Sequence, residues 1–148
     1  MAHVLIVEAR FYEDIANEMV KGAEAALKQA GVTWERVAVP GAFEIPAAVS
    51  LAAESGLFDG FVALGCVIRG ETTHYDYVCQ ESARKLQDLA ADAGLPIGYG
   101  ILTCENDAQA WERAAVDRKN KGKDAVEACL AMIALRERFL SDEVEAGE

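Results

Sequence analysis

No apolar run in this chain of 148 residues approaches the roughly 18 to 20 residues that span a bilayer. Nor does the opening MAHVLIVEARF offer a cationic stretch followed by a long apolar one. A membrane span and a secretory signal are therefore not expected, and the chain reads as cytoplasmic. Basic residues are scarce. The 14 Lys plus Arg stand against 25 Asp plus Glu, giving a net charge of −11, which repels phosphate backbones and argues against nucleic acid as a partner. An anionic ligand must then be held by local donors, either main-chain N–H groups or a particular arginine. The four cysteines, Cys66, Cys79, Cys104 and Cys129, lie far apart with no CxxC pair. Each has apolar neighbours, so buried reduced thiols are expected rather than a metal site or disulfides. Metal-ligand clusters, a Gly-rich dinucleotide fingerprint, a Walker loop, a GxSxG elbow, internal repeats and low-complexity stretches are all lacking. Bound metals, nucleotides and serine-hydrolase chemistry lose weight accordingly.

Apolar residues make up 52% of the chain and charged ones 26%, which are globular proportions. The length suits one core that buries roughly 70% of the surface of the unfolded chain. Residues 1–140 are expected to form that domain, and the acidic 141–148 a disordered tail. HVLIVEA (3–9) reads as a strand buried on both faces, and VTWERVAV (32–39), GFVALGCVI (60–68) and PIGYGILT (96–103) read as the second, third and fourth strands. Between them run helical patterns. Ile15, Met19, Ala23, Leu27 and Ala30 recur at helical steps and stop at Gly31; AAVSLAAES stops at Gly56; Tyr75, Val78, Cys79, Ser82, Leu86, Leu89 and Ala93 stop at Gly94. The remainder is helical with a break near RKNKGK (118–123). Alternating strands and helices predict an α/β, flavodoxin-like, three-layer α/β/α sandwich around a four-stranded parallel sheet. Ligands bind such sheets at the carboxyl ends of the strands. ARF, PGAFEIP, RGETTH and TCEN all fall there. The last helix, DAVEACLAMIAL (124–135), is apolar nearly all round, which points to burial by a partner subunit or else to a stripe of tolerated alanines.

Three of these stretches, and the helix after TCEN, carry residues suited to chemistry. Gly70, Glu71, Thr72 and Thr73, ahead of a predicted helix, have the makings of an anion-binding nest suited to phosphate, or of an ordinary threonine cap. His74 follows on the first helical turn, an imidazole placed for proton transfer beside the anion if the nest is real; His3 has no such neighbours and reads as structural. Glu44, between Phe43 and Ile45, either takes donors from a polyhydroxy ligand or simply favours the positive end of a helix. Phe11 either stacks on a flat ring or packs in the core. Arg113 fits a surface i, i+4 pair with Asp117.

Taken in order and spacing, ARF, PGAFEIP, GCVIRGETTHYDYV, GILTCEN, WERA and NKG closely resemble the lumazine synthase family of riboflavin biosynthesis, from about Arg10 to Gly122. The resemblance implies condensation of 5-amino-6-(D-ribitylamino)uracil with 3,4-dihydroxy-2-butanone 4-phosphate, without metal or organic cofactor, at sites shared by adjacent subunits. By the same resemblance, Phe11 stacks on the pyrimidine, Ala42, Phe43 and Glu44 hold the ribityl chain, and Cys66, Val67 and Ile68 read the ring through their main chain. Glu71 and Thr72 fall on the phosphate loop and His74 on the proton-transfer position. Tyr99 and Arg113 are lent by the neighbouring subunit, Arg113 for phosphate, and Lys121 keeps its place.

Departures from the family pattern are Tyr12, where many relatives carry Asn, and AAVDRKNKG, which puts Asp117 where a lysine often stands near the phosphate. The short stretch ahead of the first strand favours a pentamer or paired pentamers over an icosahedral shell. Two rivals to the enzyme are a flavin- or lumazine-binding module without turnover and an assembly scaffold of the same fold. His74 together with Arg113 argues against both.

Overall fold

Val4 through Ala9 are all buried, as expected of a strand covered on both faces, and the rest of the chain is wound around them. The structure is a computed structural model that describes residues 2–147, with side chains described as far as Ser141. In chain order it comprises β1 (His3–Ala9), α1 (Glu13–Gln29), β2 (Thr33–Val39), a 3-10 turn (Ala42–Glu44), α2 (Ile45–Glu54), β3 (Gly60–Ile68), α3 (His74–Asp92), β4 (Ile97–Cys104), α4 (Asp107–Ala114) and α5 (Lys121–Gly147). The four strands form one sheet in the order β2-β1-β3-β4, parallel throughout. The acidic tail expected over 141–148 lies, beyond Ser141, outside the residues whose side chains are described.

Alternation along the strands divides the core in two. Val4 and Ile6 of β1, with Val62 and Leu64 of β3, face α1, α4 and α5 through Met19, Leu27, Ala110 and Val126. Leu5, Val7, Phe61 and Ala63 face the other way, onto Ile45 and Val49 of α2 and Val78 and Leu86 of α3. The result is the expected three-layer α/β/α sandwich. Each fully buried Leu, Ile or Phe stabilises it by roughly 1.5–3 kcal/mol. The helix stops at Gly31, Gly56 and Gly94 take φ of 72°, 71° and 68°, the left-handed conformation that ends helices at low cost.

Two expectations shift. The helical break spans 115–120 rather than 118–123, because Gly122 is not a breaker. A Cβ there would run into the Met19 carbonyl oxygen, so the glycine lets α5 cross α1 closely, and the turn is instead made at Asn120, with φ 48°. Glu8, inside the apolar run of β1, is 2% exposed. Arg10 donates to its carboxylate at 2.6 Å and Arg36 of β2 at 2.7 Å. Burial by itself would raise that carboxyl, but the hydrogen bonds and charges of Arg36 and Arg10 outweigh it and hold it below the ordinary range.

Candidate active site

Pairing between β1 and β3 ends at Glu8 opposite Leu64, whereas β3 and β4 stay paired as far as Ile68 opposite Cys104. The main chain of residues 65–68 therefore has no strand partner on the β1 side. Its groups must find donors and acceptors elsewhere, and they border a cavity of about 400 Å³. Cys66, Val67 and Ile68 form one wall; Phe11 and Tyr12, after β1, and Gly41 to Glu44, after β2, form others; His74 and Val78 of α3 close it.

This cavity gathers eight of the residues singled out from the sequence: Phe11, Ala42, Phe43, Glu44, Cys66, Val67, Ile68 and His74. Phe11 is 74% and Phe43 56% exposed, so neither ring is spent on the core, and both present apolar surface to whatever enters. Glu44 is exposed at the start of α2 and makes no ion pair among the described residues. The 3-10 turn curls its carboxylate back over Gly41. The Cys66 thiol is pushed up to about 12, chiefly by burial and then by the neighbouring Cys104, so it stays protonated and is no nucleophile. All four cysteines are free thiols, Cys104 and Cys129 buried, Cys66 and Cys79 half-buried.

The two histidines differ in their bonding. Both ring nitrogens of His3 are engaged at 2.7 Å, by Thr33 Oγ1 and Glu35 Oε2, which is a structural clamp between β1 and β2. The His74 ring makes no hydrogen bond within the described chain, although its exposed position at the start of α3 faces the cavity. The loop before it is equally open. Gly70 and Glu71 hydrogen-bond to nothing in the described chain. Thr73 takes the N-cap position without a side-chain capping bond, while Thr72 Oγ1 accepts from the His74 N–H at 3.3 Å. Main-chain donors of that loop are thus available to an anion. Arg69 is not, since Glu105 holds it at 2.8 Å, Asp76 at 3.4 Å, and its guanidinium lies over the Tyr75 ring.

Glu71 and Thr72 do not line the cavity, and Tyr99, Arg113 and Lys121 lie elsewhere. These last three share a second hollow of about 320 Å³ along the open edge of β4, with Thr103 and Asp124. Arg113 does not pair with Asp117, because α4 ends at Ala114; its guanidinium donates instead to the Gln109 carbonyl at 3.1 Å. Lys121 lies 3.2 Å from Asp124, and Asp117 lines neither hollow. Sequence reasoning assigned no site role to Gly41 and Val78 in the first hollow or to Gly100, Ile101, Leu102, Thr103 and Asp124 in the second, and noted Tyr12 only as a departure from the family pattern. Only Tyr12, adjacent to Phe11, carried a signal.

No helix among the described residues is long and apolar enough to cross a membrane. A family model described as 6,7-dimethyl-8-ribityllumazine synthase matches residues 1–137. The chain is similar to proteins of that description from Bartonella tribocorum (56% identical, covering 93% of this chain and 91% of that one) and Agrobacterium fabrum (53%, covering 93% and 96%). It is also similar to one from Sphingopyxis alaskensis (56%, covering 94% and 98%). On fold, site geometry and these likenesses, the chain belongs to the 6,7-dimethyl-8-ribityllumazine synthase family.

Proposed function

We propose that this chain is a transferase that condenses 5-amino-6-(D-ribitylamino)uracil with 3,4-dihydroxy-2-butanone 4-phosphate. The products are 6,7-dimethyl-8-ribityllumazine, phosphate and water. One observation carries the reading: in a chain of this family, a single cavity brings together exposed aromatic rings, an unpaired strand edge, an unpaired carboxylate and an unbonded histidine. The flat pyrimidine stacks on Phe11 and hydrogen-bonds the main chain of Cys66, Val67 and Ile68, as a missing strand would. The ribityl hydroxyls donate to Glu44 and pack beside Ala42 and Phe43.

The reaction needs an imine between amine and ketone with loss of one water, elimination of phosphate, and ring closure with loss of a second water. Those steps require alignment and proton movement more than a covalent nucleophile. His74 relays the protons, next to open main-chain donors at Gly70, Glu71 and Thr72 that receive the phosphate. Arg113, Lys121 and Tyr99 complete the site from a neighbouring copy, because on one chain they lie along a different edge. We assign a ring of five copies or a pair of such rings. Burial of Met132 and Leu135, which are 46% and 38% exposed on α5, favours assembly. Purified protein mixed with both substrates should form the absorbing, fluorescent product faster than the spontaneous reaction. Binding of product without any acceleration would replace the enzyme with a binding module.

A further inference from the structure

Tyr12 holds the N-cap position of α1: its carbonyl accepts from Ala16 N–H at 2.8 Å, but its side chain makes no capping bond. A tyrosine cannot supply the short side-chain acceptor that this position favours, so α1 forgoes that stabilisation. The phenol hydroxyl makes no hydrogen bond within the described chain either. What the ring does is pack. It meets Phe11 edge-on, with centroids 5.0 Å apart and planes at 76°, and this is Phe11's one ring contact among the described residues. Tyr12 also packs against the core on the α1 side and, with Cys66, lines both the 400 Å³ cavity and a pinched hollow of about 10 Å³ beside Glu8 and Ile15.

We propose that Tyr12 is a positioning residue for the flat-ring substrate, acting by fixing the Phe11 ring that receives it; this rests on the stacking role assigned to Phe11 above. A ring as exposed as Phe11 would otherwise sample several rotamers, and binding would have to freeze one of them. The edge contact from a half-buried neighbour removes that freedom beforehand. Helix capping is thereby exchanged for order at the cavity mouth.

The test compares Tyr12→Leu, Tyr12→Phe, Phe11→Leu and the double variant Tyr12→Leu/Phe11→Leu, with Tyr12→Met as a second ringless replacement of similar bulk. KM for each substrate, kcat, and the Kd of 6,7-dimethyl-8-ribityllumazine by its fluorescence are measured. Tyr12→Leu and Tyr12→Met should raise the pyrimidine KM and the product Kd about three- to tenfold, with kcat and the butanone phosphate KM within about twofold of the parent. Tyr12→Phe should behave as the parent, and Tyr12→Leu should add nothing once Phe11 is Leu. Equal rises in both KM values, or additive effects in the double variant, would overturn the proposal. So would Phe11→Leu binding the product normally. Failure of the parent protein to make product would instead overturn the reaction, while the Kd series still decides the role of Tyr12.

Discussion

The two hollows at the edge of this sheet are built from opposite materials. The first has aromatic rings, an unpaired strand edge, a carboxylate and an imidazole. The second has the guanidinium of Arg113 along β4 and the ammonium of Lys121, which is paired with Asp124. One suits a flat, hydroxylated molecule and the other an anion. In a chain carrying −11 overall, a phosphate cannot rely on the general field, so cations must be concentrated locally. Their separation on one chain is the physical reason to expect that a second copy joins them.

Replacement of His74 tests the first hollow hardest. His74→Ala should lower kcat by about a hundredfold and change neither KM by more than a few-fold, because in the proposed reaction the ring moves protons rather than holding substrate. A large rise in KM with kcat intact would make it a binding residue. Next in size, Arg113→Ala should raise KM for the butanone phosphate about ten- to a hundredfold while the pyrimidine KM barely moves. Equal changes in both would dissolve the division between the hollows.

Glu8 supplies the control, with the smallest effect on turnover. It lines neither hollow, and its carboxylate is spent on Arg10 and Arg36. Glu8→Ala should leave kcat of the folded protein unchanged and cost about 3 kcal/mol of stability, the low end for a broken buried pair, since Arg36 keeps 41% of its side chain in water. Its pH behaviour has a definite sign. The folded carboxyl lies below its ordinary 4.5, so its contribution is complete above about that pH and is lost as pH falls through the folded value. Acid titration of stability by circular dichroism should therefore be flatter in Glu8→Gln than in the parent below pH 4.5. Parallel curves would contradict the network.

Much of this was legible in the sequence because strands buried on both faces leave continuous apolar runs. Gly60–Ile68 was delimited to the residue, and β4 was displaced by one. Helix stops were readable because glycine takes the left-handed backbone they need at the lowest cost. What escaped involves contacts between distant segments. Gly122 reads locally as a breaker, and only the crossing with α1 at Met19 shows why it is there. Glu8 hides in an apolar strand because its partners come from Arg10 and, 28 residues away, Arg36. The cavity residues were found through motif resemblance; the split between the hollows was not visible to spacing, which does not say which edge of a strand is left open.

The most direct test of a site completed between copies is to co-express His74→Ala chains with Arg113→Ala chains and assay the mixed assemblies. Each variant alone should be nearly inactive toward low concentrations of the phosphate substrate. Mixed assemblies should regain activity, since some junctions would pair an intact first hollow with an intact second one. Assemblies shown by sedimentation to contain both chains, yet no more active than either variant alone, would contradict the account.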